Sequence, residues 1–148
     1  MTKKLAQIPR YWLSLKLCQR IFEIFRDKWE FDEPIPPFNT RYPNKLEGLV
    51  NSVKQTYAGQ YLNTSVLDAA SAYLNQFIRG HVFINGNKRM GILFTHSFML
   101  MNGVDLTIDP EDLYYFAVVL ARSGEDNTTP EETKIWCREV IEQFSKDI

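Results

Sequence analysis

The chain has 148 residues, 45% hydrophobic and 24% charged, with a net charge of −1. That is an ordinary globular balance, long enough to bury a full core, and one domain over residues 1–148 is expected. Scattered Lys and Arg with no net positive charge argue against a direct nucleic-acid partner. No stretch approaches the length of a membrane span, and the basic start lacks the apolar run of a signal peptide, so a cytoplasmic protein is expected.

In chain order, Pro9 suits the first turn of a helix, and Trp12, Leu13, Leu17, Ile21, Ile24 and Phe25 recur at helical spacing to about Lys28. Leu15, Cys18 and Phe22 widen the apolar face, for burial or for a partner. This N-terminal helix fills residues 1–30. Residues 31–45 hold four prolines and cannot continue it, which leaves a loop or a short extended ribbon. A helical core follows over 46–145. Leu46, Leu49, Val50, Val53 and Tyr57 keep helical spacing until Gly59. Thr64 or Ser65 caps the next helix, whose apolar positions run from Val66 to Ile78. Gly80 ends it. From Met90 to Met101 apolar residues crowd nearly every face, the pattern of a central buried helix, and His96 within it reads as a satisfied core histidine. Asn102-Gly103 closes that helix. Strand signals are weak except near Val104 to Thr107. Asp109-Pro110 and the capping box Thr129-Pro130-Glu131-Glu132 open two more helices. The last has Ile135, Trp136, Val140, Ile141 and Phe144 inward. The fold class is all-α, a helical bundle around a central buried helix. Cys18 and Cys137 lack any zinc spacing; a disulfide between them stays open, but two inert thiols in a reducing compartment are expected.

Between two of these helices lies His81-Val82-Phe83-Ile84-Asn85-Gly86-Asn87-Lys88-Arg89. Asn-Gly between apolar runs can be a hairpin turn or a plain helical corner. The same residues also suit chemistry. Gly86 permits φ > 0, and Asn87, Lys88 and Arg89 fall where the next helix presents unpaired N–H groups and its positive dipole end. A helix start with two cations is an anion site, and His81 can take a proton near neutral pH.

His-x-Phe-x-x-Gly-Asn-Lys-Arg over 81–89 resembles the signature of the Fic/Doc superfamily of nucleotide-dependent protein-modifying enzymes. Lys88, where most AMP-transferring members carry Gly, makes it most similar to the Doc (death-on-curing) toxin branch. The resemblance extends over roughly residues 40 to 145. It implies that His81 is the general base taking a proton from a target hydroxyl, a role typically worth ~10²–10⁴ in rate. Asn87, Gly86 and the loop N–H groups would hold phosphate oxygens, and Arg89 would stabilise charge developing during transfer. Phe83 would anchor the loop. Residues 31–45 would form a flap in which Phe38, Thr40, Arg41 and Tyr42 meet the target by strand addition, unless the segment is a surface connector.

Lys88 in place of Gly fills the space for an α-phosphate and offers a point charge to a terminal one. By resemblance, the γ-phosphoryl group of ATP passes to a protein hydroxyl of the kind found on elongation factor Tu, arresting translation. AMP transfer and a silent binding module are the alternatives. The family usually has Asp or Glu at position 85 to hold Mg²⁺; Asn85 offers only a neutral carbonyl, a weaker ligand for a hard cation. No Ser/Thr-x-x-x-Glu-Gly/Asn stretch provides the family's self-inhibition. Restraint would come in trans, from a small Phd-like antitoxin whose disordered tail folds on binding, with the first helix's apolar face as one place for it.

Overall fold

A computed structural model describes residues 2–26, 38, 42, 44–83 and 86–148. Six α-helices carry the chain among them: α1 (Leu15–Arg26), α2 (Lys45–Val53), α3 (Val66–Arg79), α4 (Asn87–Met101), α5 (Pro110–Arg122) and α6 (Pro130–Gln143). Two small antiparallel ladders join them: β1 (Thr56–Tyr57) with β2 (Gln60–Tyr61), and β3 (Val104–Leu106) with β4 (Ser145–Asp147). The all-α expectation holds. No helix among the described residues is long and apolar enough to cross a membrane.

The centre is α3, not the later helix. Every residue of α3 except Asp68, Gln76 and Arg79 is buried, and it packs chiefly on α4 and α6, with α2 and α5 beside them. Its small residues Ala69, Ala70, Ser71 and Ala72 let neighbours close in on all sides. Ser65 caps it, with Oγ accepting from the Asp68 N–H at 3.0 Å. By contrast α4 leaves Leu100 exposed. His96 is a surface-facing partner rather than a core residue: its side chain is 35% exposed and its Nε2 lies 2.8 Å from Asp105 Oδ1 on β3.

Two boundaries and one helix face depart from the periodicity. Pro9 does not open α1, because residues 7–14 are irregular, with bends, and their backbone groups are claimed elsewhere. The Arg10 and Tyr11 N–H groups donate to Asn102 Oδ1, and that of Leu13 donates to the Tyr73 hydroxyl. The helix starts where Ser14 Oγ accepts from the Leu17 N–H. Gly59 does not stop α2. It forms the two-residue turn between β1 and β2 with Ala58, both at positive φ (52° and 80°), which suits the twist of a hairpin. Tyr57 therefore points to solvent. On α6 the buried stripe is Thr133, Cys137 and Ile141, and Ile135 faces out. Asn102-Gly103, Asp109-Pro110 and Thr129 terminate or cap helices as the sequence indicates. Both cysteines are free and buried.

Candidate active site

The loop from α3 to α4 is built by its backbone. Gly80 carries the last turn of α3, its N–H donating to Gln76 O at 2.8 Å, in the right-handed conformation. A Cβ there would stand 2.5 Å from Gln76 O, so glycine is required for close approach rather than for positive φ. The left-handed step falls on His81, at φ 46°. A non-glycine residue held there carries strain of roughly 1–3 kcal/mol, a device concentrated at functional sites. The imidazole is exposed at the mouth of the loop.

After His81 the chain turns inward. Val82 and Phe83 are buried, and Phe83 lies 5.5 Å from Phe22, stacked, with Phe38 and Phe94 near its other sides. Gly86 takes the left-handed conformation (φ 78°) and stands as N-cap of α4. Asn87, Lys88 and Arg89 form the first turn, half-buried. The N–H groups of Asn87 and Lys88 have no acceptor among the described residues, as expected of a helix start. Together with the dipole and the two cations, they make this turn electropositive.

The side chain of Asn87 is engaged with its own loop. Its Oδ1 accepts from the Phe83 N–H and its Nδ2 donates to Phe83 O, both at 2.8 Å. It is a clasp that closes the loop, with one Nδ2 N–H left beside the main-chain N–H groups of the helix start. The Arg89 guanidinium lies 5.6 Å from the centre of the Tyr114 ring, on α5. Asn85, and with it the expected cation ligand, lies outside the described residues. Among those described, no cluster of three His, Cys, Asp or Glu could hold a metal ion.

Of the flap residues, Thr40 and Arg41 lie outside the described residues. Phe38 is buried against the stacked pair Phe22 and Phe83, so its side chain is a core prop rather than a surface for a target. Tyr42 is exposed, and its N–H donates to Val82 O at 2.9 Å, a main-chain link between the flap and the loop. Lys45 Nζ sits 4.7 Å from the Tyr42 ring centre.

Two contributors were not singled out from sequence. Tyr114 reaches Arg89 from a distant helix, and nothing in its spacing announces that. Arg79, in the last turn before the loop, donates from one terminal nitrogen to Thr133 Oγ1 (2.8 Å) and from the other to Thr128 O (3.0 Å). Thr133 Oγ1 in turn donates to Asn75 Oδ1, whose Nδ2 donates to Pro130 O. This network pins the end of α3, and so the start of the loop, to the first turn of α6. A cation in the last turn of a helix was its one visible sign.

The family model for the Fic/DOC family matches residues 12–99, a span that takes in the flap, the loop and most of α4. No curated protein matches the chain.

Proposed function

The chain belongs to the Fic/DOC family, whose members generally transfer nucleotide-derived groups to proteins, and on that premise we propose that it is a Doc-like phosphoryl transferase. ATP is the donor, and a protein hydroxyl of the elongation factor Tu type is the acceptor. The observation that carries this reading is the electropositive first turn of α4, opened by Gly86 and bearing Lys88 and Arg89, at the far end of the short loop that His81 begins. The main-chain N–H groups of Asn87 and Lys88 bind terminal phosphate oxygens, and Lys88 supplies the charge that favours a γ- over an α-phosphate. Arg89, steadied on Tyr114, meets charge developing on the transferred group. His81 accepts the proton of the attacking hydroxyl, and its strained backbone holds the imidazole at the loop mouth. Any Mg²⁺ arrives with the nucleotide, and no step is assigned to an ion held by the protein.

Growth arrest through blocked translation follows from such an acceptor, and a small Phd-like antitoxin restrains it in trans. On α1, where Ile24 stays exposed beside half-buried Leu17 and Phe25, the surface offers that partner a place. In a cell-free translation extract, the chain should stop peptide synthesis while His81→Ala does not; uninterrupted synthesis with both would contradict the reading. Asn85 favours one second reading, a binding module that has lost transfer. An inactive chain revived by Asn85→Asp would mark the intermediate case of an intact cradle without its acidic ligand.

A further inference from the structure

Beside the loop lies an open cleft of about 480 Å³, walled by α2, the end of α3 and the start of α6. Its lining includes Gly80 and Val82, the two neighbours of His81, yet no residue from 86–89. The cleft thus adjoins the base but not the phosphate-binding turn. Leu49 and Val82 give it apolar walls, and Lys45 and Arg79 bring two cations; no carboxylate among the described residues lines it. Among the described residues neither cation has a carboxylate partner, the ion pairs being His96 with Asp105 and Arg138 with Asp68. Arg79 is fixed by Thr133 and Thr128, so it meets a ligand without loss of side-chain freedom. Gln76 accepts from Ser52 through Oε1, which leaves its NH₂ donors for a ligand.

Two cations without a carboxylate partner among the described residues, set above apolar walls, suit a carboxylate on a short aliphatic stem. We propose that the cleft between Lys45 and Arg79 is a subsite for an acidic side chain of the target protein, a near neighbour in sequence of the hydroxyl offered to His81. The Tyr42 N–H, donating to Val82 O at 2.9 Å, shows that the backbone at this place accepts a main-chain partner beside the cleft. The proposal deepens the reading of the chain as a protein-modifying transferase, and its test reads binding without turnover.

The full chain is titrated with N-acetylglutamate N-methylamide and, separately, with its neutral glutamine counterpart. NMR follows the Leu49 and Val82 methyl groups and the Arg79 Nε–H. The acidic probe should shift these signals, with the neutral probe about tenfold weaker, the difference between a charged and a neutral hydrogen-bond partner. Lys45→Gln, at an exposed position, should weaken the acidic probe severalfold with an unchanged thermal midpoint. Equal affinity for the two probes, or no shift in the cleft, overturns the proposal. So does ATP displacing the acidic probe, which would assign the cleft to the nucleotide. A chain without transferase activity that still prefers the acidic probe leaves the subsite standing and removes only the reaction.

Discussion

At His81, φ 46° puts a β-carbon residue where glycine would be at ease. His81→Gly should therefore keep or raise the urea midpoint while transfer is lost. A clear fall in the midpoint would instead mean that the imidazole holds the loop together. Asn87 gives the opposite expectation. Asn87→Ala strips two hydrogen bonds from the Phe83 backbone, at a cost of roughly 1–3 kcal/mol for the groups left unpaired, and the Phe83 amide should exchange faster with solvent. An unchanged exchange rate would contradict the clasp. The motif was legible through its resemblance to a family signature, because on spacing alone Asn-Gly between apolar runs suits a hairpin turn or a helical corner as well. The division of labour within it was not. Whether a carboxamide faces a ligand or its own backbone depends on how the loop closes, and residue type alone does not fix that.

Among the elements, the tether between α4 and β3 depends on pH. A hydrogen bond from His96 chiefly, with Lys146 across the ladder adding to it, holds the Asp105 carboxyl below the usual carboxylate range. A depressed folded value means that this stabilisation is present above the ordinary carboxylate pKa and is lost as pH falls below about 4. Asp105→Asn should flatten that part of the stability profile, modestly, since both side chains are about one-third exposed. Urea unfolding across the acid range checks it, and an unchanged acid slope contradicts it. Element positions were well signalled where a cap or a proline marked them, as at Ser65, Asp109 and Thr129. Where tertiary partners captured the backbone they were hidden. Asn102 takes the segment after Pro9 out of helix, and Ala58-Gly59 turns a hairpin without the usual Asn-Gly. The central helix was misplaced because small residues, which let α3 be surrounded, dilute the hydrophobic pattern that a reader of sequence weighs.

For the molecule as a whole, burial pushes both thiols, Cys18 and Cys137, up to about 12. Neither should react with iodoacetamide near about pH 8 until the chain unfolds, so alkylation rate reports global opening; native-state labelling of either would contradict the packing. The bundle serves the loop. The α3–α6 network fixes its start, the Phe22–Phe38–Phe83 cluster its middle, and the packing of α4 its end. The central claim is that this loop moves a terminal phosphoryl group with His81 as base. The most direct measurement is the intact mass of elongation factor Tu after incubation with Mg-ATP and either the wild-type chain or His81→Ala. The account predicts the gain of one phosphate with wild type and none with His81→Ala. A gain of AMP, or a phosphate gain that survives His81→Ala, would contradict it.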